Sequence, residues 1–360
     1  TIKEFEYEFN IYIQIMAINS ILLSFVGSIL FYFKKKNNLV SLSFLKKTII
    51  ILNLIIILVA VYYYFLNIKW FIFFFSSIIS LFFFTINIAY NTRFNLFDRN
   101  TNLLLNFSLV KFIFIYLAYL NNFDILNTLI LSNLIILTLC LNVIKKIKII
   151  LSEKNSFSLK SIFNNILGTG NTTLDKLYCT NYAVLISVNY FLIFKVASIF
   201  QYFTEVLYRK ERFLITEGKS RIDKKLIMIK FFTVFFLIAF CNLIIQKFNY
   251  VIDNLNNGNL EFIFSFFQIL VKYNLEFSLI ALAFLINSVA GLTYDKIYRK
   301  FGNNYLIYIN FLNVLFFVIL LFLFGNSIFN MAIIFLAIHI LNYFFIKLLD
   351  IYLIKKTSQN

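Results

Sequence analysis

Long runs of apolar residues, most of them close to the length of a membrane-crossing helix, recur along the whole chain with short polar stretches between them. A helix needs about 20 apolar residues to cross the hydrocarbon core of a bilayer. Hydrocarbon in turn accepts only segments whose backbone hydrogen bonds close internally. The pattern therefore predicts an all-α fold, a polytopic integral membrane helical bundle. The runs fall near 11–33, 49–66, 70–90, 103–120, 125–144, 178–203, 226–247, 260–293, 304–324 and 328–349, about ten transmembrane helices in all. The run at 260–293 exceeds one perpendicular span and contains Lys272, Asn274 and Glu276, so a lateral or interfacial helix followed by a span from near Asn274 is expected.

Composition agrees with a lipid environment, since 61% of the residues are hydrophobic and only 14% are charged, against about 25% in soluble domains. A net charge of +17 would suit nucleic acid if the Lys and Arg residues formed one patch. They instead stand at the ends of the apolar runs, the pattern of membrane loops and lipid headgroups, so no nucleic-acid partner is expected. Proline is absent and Phe, Ile, Leu, Asn and Lys are in excess. That bias follows AT-rich codons and points to an extremely AT-biased genome, an organelle's or that of a very AT-rich bacterium or parasite. The opening TIKEFEYEFN is too charged for a signal peptide, and the first apolar run is expected to be retained.

The most polar connector, 145–177, holds GTG at 168–170. It divides the chain into an N-terminal membrane block over 1–160, with about five spans, and a helical bundle over 161–360. Basic loops at 34–47, 91–99 and 145–160 alternate with near-neutral ones in the first block. Those at 204–225 and 294–300, with the tail at Lys355 and Lys356, do the same in the second. The positive-inside rule places each basic set on the matrix or cytoplasmic face. Only one apolar run, 178–203, separates 145–160 from 204–225, so the two halves disagree by one crossing.

Chemistry-bearing residues are few. The single histidine, His339, stands in FLAIHILNYFF, whereas haem or copper sites usually take several His, Cys or Met ligands. No metal, catalytic or cofactor residues are expected of this chain. Cys140, Cys179 and Cys241 lie within or beside apolar runs without CxxC spacing, as inert thiols do. No Walker loop, HExxH, GxSxG or dinucleotide-binding glycine pattern occurs. Charges inside spans are functional candidates because hydrocarbon disfavours them. Lys111, Lys195, Lys230, Lys272, Glu261, Glu276 and Lys347 are the set. Lys230 and Lys347 lie near span ends and are expected to snorkel to headgroups. Lys195, mid-span in NYFLIFKVASIF, requires a partner or water; Lys195 and Glu276 are the buried-charge candidates, and they are the sole hint of the Lys–Glu pairing in adjacent spans that a proton-translocating NADH dehydrogenase subunit would need.

The stretch 201–225, QYFTEVLYRKERFLITEGKSRIDKK, carries aromatics at the expected water interface and seven basic residues partly balanced by Glu205, Glu211, Glu217 and Asp223. It resembles cytochrome c oxidase subunit III. In that family the loop between the second and third helices begins Gln, two Trp, Arg, Asp, Val, any residue, Arg, Glu. Gln201, Tyr202 and Phe203 match the Gln and the aromatic pair, Glu205 and Val206 the Asp and Val, and Arg209 and Glu211 the later Arg and Glu after a slip of one or two. Thr204 stands where the family has its first Arg. LIMIKFFTVFFLIAF is similar to the family's third helix, the segment from Asn274 to Gly291 to its fourth, 304–324 to its fifth, and His339 with Ile340 to the His and Val of its sixth.

The resemblance covers roughly 175–356. It implies a divergent, mitochondrially encoded and protist-like respiratory-chain subunit of cytochrome c oxidase (complex IV). Such a chain packs beside the catalytic oxidase subunit and binds structural phospholipid, cardiolipin or similar. Arg209, Arg212, Arg221 and His339 would be its headgroup contacts. Read from the residues alone, those arginines are equally matrix-side charges that set topology. The alternatives are a membrane subunit of another proton-translocating complex, NADH dehydrogenase or ATP synthase, or a lineage-specific structural subunit.

Overall fold

The computed structural model describes residues 2–35, 39–40, 56–93, scattered positions within 103–114, then 124–144, 150–151, 159–208, 211–212, 214–215, 224–252, 261–302 and 304–358. The expected span at 103–120 and its Lys111 lie mostly outside the described residues. The helices are α1 (Ile2–Lys35), α2 (Ile56–Leu66), α3 (Ile68–Arg93), α4 (Ile125–Ile144), α5 (Leu159–Gly170), α6 (Leu174–Tyr182) and α7 (Val184–Leu207). They continue as α8 (Lys224–Ile252), α9 (Glu261–Lys272), α10 (Asn274–Phe301), α11 (Leu306–Phe324) and α12 (Ile328–Ser358). A two-residue parallel pairing, β1 (Leu39–Val40) with β2 (Ile150–Leu151), is the sole strand structure among the described residues. Among the described residues six helices are long and apolar enough to cross a membrane, and α2 and α4 contain shorter apolar segments.

The chain divides into two compact units, Ile18–Thr169 and Thr1–Ala17 with Gly170–Asn360. The expected boundary at 160/161 thus falls at 169/170. Residues 1–17 join the C-terminal unit because α1 binds α7 directly. Ser187 Oγ donates to Asn10 Oδ1, Gln14 Nε2 reaches Asn181 Oδ1 at 3.4 Å, and Phe9 meets Phe191 edge-on at 5.6 Å.

In the unit Ile18–Thr169, polar side chains join helices whose apolar surfaces have no preference for one another over lipid. Asn19 Nδ2 donates to Ser77 Oγ at 3.0 Å, and Asn87 Nδ2 donates to the Cys140 carbonyl at 3.1 Å. Asn67 separates α2 from α3, its side-chain oxygen accepting the Lys69 amide at 2.9 Å. Asp124 does the same for α4, capping the Leu126 amide at 2.9 Å, a role short polar side chains perform where helix amides lack partners.

In the C-terminal unit α10 packs against α7, α8 and α12. Its buried small residues Ala281, Ala283, Ser288 and Ala290 let neighbouring backbones approach closely. Four phenylalanines fill the centre. Phe335 of α12 lies 5.3 Å from Phe194, 5.5 Å from Phe284 and 6.4 Å from Phe317. Polar ties pin the remaining contacts, with Asn313 donating to Asn342 at 2.7 Å and Lys296 paired with Asp350 at 2.8 Å. The run 260–293 is broken at Tyr273 into α9 and α10, as its length and polar residues predict. α8 inserts Val234 and Ile238 into the core while Phe235, Phe236, Phe240 and Leu243 face outward. Those outward rings suit lipid or another membrane protein.

Truncating the central ring tests this packing. Phe335→Ala is expected to cost about 3 kcal/mol, the lower end for a buried Phe lost to a cavity, read as earlier thermal unfolding in detergent.

Candidate functional site

The feature of α6 and α7 with the most chemistry is a buried set of charges. α6 begins after Asn171, Thr172 and Thr173 and places Asp175 in its first turn, where a carboxylate is favoured by the unpaired amides and the helix dipole. Ala183 then interrupts the helix, and α7 folds back beside α6. The reversal brings Tyr190, two turns into α7, against Asp175. The Tyr190 hydroxyl donates to Asp175 Oδ2 at 2.6 Å, and the Lys176 ammonium sits 3.1 Å from Asp175 Oδ1. Lys176 also donates to the Thr172 carbonyl and stands 3.4 Å from the centre of the Phe194 ring.

Asp175 and Tyr190 are fully buried, and Lys176 is 8% exposed. A lone charge so placed would be very unfavourable. Here the ammonium has a carboxylate, a carbonyl and an aromatic face, and the carboxylate has a phenol and an ammonium. The set is neutral as a whole, and its three ionisable groups, Asp175, Lys176 and Tyr190, lie in a hydrogen-bonded row able to hold or exchange a proton.

His339 packs against the same aromatic core. Its Nδ1 lies 2.7 Å from the Phe335 carbonyl, which assigns the ring proton to Nδ1, and its ring packs on Phe335 at 4.3 Å. At 2% exposure it is out of reach of a lipid headgroup. The headgroup contact expected of His339 is corrected accordingly: the side chain is a core element bonded to its own helix.

A second polar cluster gathers at the end of α7. Thr204 and Ser288 hydroxyls lie 2.7 Å apart and buried. Tyr208 is fully buried, and Glu211 is 3% exposed. Lys230 does not snorkel as expected. It turns inward, donating to Glu211 Oε1 at 2.6 Å and to the Leu207 carbonyl at 2.7 Å. Arg212 approaches Asp295 at 3.8 Å, and Arg299 donates to the Ile215 carbonyl. Gly291 leaves room for this arginine, since a Cβ there would stand 2.5 Å from Arg212 Nη2. Arg209 and Arg221 lie outside the described residues.

Lys195 and Glu276, the sole hint of a Lys–Glu pair for a proton-translocating subunit, are not paired with each other. Glu276 is half-buried in the first turn of α10, whereas Lys195 is exposed at the middle of α7 with its ammonium 5.2 Å from the Phe191 ring centre. The buried acid–base pair Asp175 with Lys176 falls within the polar connector 145–177. Adjacent opposite charges at the very edge of an apolar run were its available signal. Cys140 and Cys179 are buried and Cys241 half-buried, all as free thiols. Among the described residues no three His, Cys, Asp or Glu side chains converge as a metal site. No protein-family model, curated protein or solved structure matches the chain.

Two substitutions test these clusters. Asp175→Asn should destabilise the detergent-solubilised protein by about 3 kcal/mol, because it leaves the Lys176 charge buried without a counter-charge, and adding Lys176→Met should restore most of the loss. Gly291→Ala should displace Arg212 and raise the sensitivity of the 208–215 segment to limited proteolysis, with little change when Arg212 is already Ala.

Proposed function

We propose that this chain is a non-catalytic membrane core subunit of mitochondrial cytochrome c oxidase, spanning the inner membrane many times, supporting the catalytic subunit and binding structural phospholipid. The observation that carries the reading is the clamp after α7. The stretch 201–215 is the part that resembles subunit III, and its Thr204, Glu211 and Arg212 join α8 and α10. Those are the helices the resemblance orders as third and fourth. Thr204, standing in place of the family's arginine, is buried on Ser288. That neutral contact supports a divergent version of the same packing.

A count of about ten spans belongs to this proposal. Among the described residues six helices have the length and apolarity of a crossing and α2 and α4 carry shorter apolar segments, and the apolar runs at 11–33 and 103–120 would complete the count. Arg212, together with Arg209 and Arg221 in the basic loop 204–225, would meet lipid phosphates on the matrix face.

A second reading has its own observation. The Asp175, Lys176 and Tyr190 row resembles what a proton-translocating membrane subunit needs, a buried acid and base in contact, and it favours the NADH dehydrogenase or ATP synthase alternative.

Purification in mild detergent separates the two. Haem a absorbance should co-migrate with the chain, whereas NADH oxidation or ATP hydrolysis in the same peak would support the second reading. Arg212→Gln should lower the phospholipid retained per complex, measured by phosphate analysis, and unchanged lipid would remove the headgroup role.

A further inference from the structure

We infer that the outward face of α7 is the seam at which a membrane-spanning helix of another subunit docks, and that this partner helix presents a carboxylate to Lys195 near the middle of the bilayer. The inference rests on the reading of the chain as a subunit of a larger membrane assembly, but not on which assembly it is.

Lys195 is 11 residues from Val184 and 6 from Gln201, the ends of the apolar stretch of α7, or about 17 and 9 Å along the helix at 1.5 Å per residue. A lysine stem spans only some 6 Å, so the ammonium cannot reach headgroups in the way that cations near helix ends do. Its side chain is exposed, and the one recorded contact of its ammonium is the Phe191 ring at 5.2 Å. Among the described residues, Lys176 and Lys230 by contrast turn inward to carboxylates.

Lys195 is also the centre of a continuous stripe. Leu185, Leu192, Lys195, Ile199, Phe203 and Val206 recur at the three-, four- and seven-residue spacing of one helix face. Leu185 is 94% and Ile199 62% exposed. From Leu185 to Val206 the stripe runs 21 residues, about 32 Å, the length over which two spanning helices can lie side by side. Lipid would cover the apolar positions of such a stripe equally well. It would leave the mid-membrane ammonium unpaired, and the complementary charge is therefore what selects a protein helix bearing Asp or Glu as the occupant.

The test uses the assembled complex. Lys195→Arg should retain the neighbouring subunit on native gels, whereas Lys195→Met should lower its recovery at least tenfold. The Met side chain is apolar and faces outward, so the altered chain should still insert and keep its own unfolding temperature. In native membranes a hydrophobic carbodiimide, which joins a carboxylate to an adjacent amine as an amide, should link Lys195 to an acidic residue in a spanning peptide of a different chain. An undiminished neighbour in Lys195→Met, or a link from Lys195 to a carboxylate of its own chain such as Glu8, overturns the inference. A link to a chain from a complex lacking haem a would uphold it while overturning the oxidase assignment. Co-migrating haem a with an intact Lys195→Met complex would do the reverse.

Discussion

Hydrocarbon offers no hydrogen bonds and no counter-charges, so a chain that lives in it must supply both from its own side chains. The charged clusters of the C-terminal unit follow from that constraint. The ammonium of Lys176 takes its ligands from Asp175, the Thr172 carbonyl and Phe194, and Lys230 takes its own from Glu211 and the Leu207 carbonyl. Lys296 and Asp350 satisfy each other between α10 and α12. The pairs Lys230–Glu211 and Lys296–Asp350 each join two segments, so there neutralising the charge and fixing the helices in place are one event, whereas Asp175 and Lys176 are neighbours in α6 and reach α7 through Tyr190 and Phe194. The reversal at Ala183 is what brings Tyr190 and Phe194 over α6 to complete the first of these sets.

Apolar contact alone would not arrange these helices, because lipid tails are as apolar as leucine. Specificity comes from shape and from sparse polar atoms. α10 can sit among three partners because Ala281, Ala283, Ser288 and Ala290 remove bulk from its buried face, and Phe194, Phe284, Phe317 and Phe335 fill the volume so released. The Asn313–Asn342 and Thr204–Ser288 contacts give that packing a register. α8 turns most of its described phenylalanines outward, as suits a helix that faces lipid.

Much of this was legible in the residues. The break at Tyr273 followed from a run too long for one span with Lys272 and Asn274 inside it. The separation of α2 from α3 near Asn67 was visible as a short polar interruption. The buried pair Asp175 and Lys176 was not, because NTTLDK reads as an ordinary polar loop until α7 is folded back upon it. Lys230 was read as a snorkelling residue because its position along α8 permits that. The direction of a flexible side chain depends on whether an acid such as Glu211 waits on the inner side, and that acid is 19 residues away.

By itself the sequence determined that the chain is a lipid-embedded helical protein, where most of its apolar helices run, and which loops carry the positive charge. Those properties depend on local composition, and the bilayer reads composition one segment at a time. Only the tertiary structure decided which charges are neutralised within the chain and that Lys195 faces outward. Partner choice depends on helices distant in sequence meeting at one depth, and no periodicity along a single segment encodes that meeting.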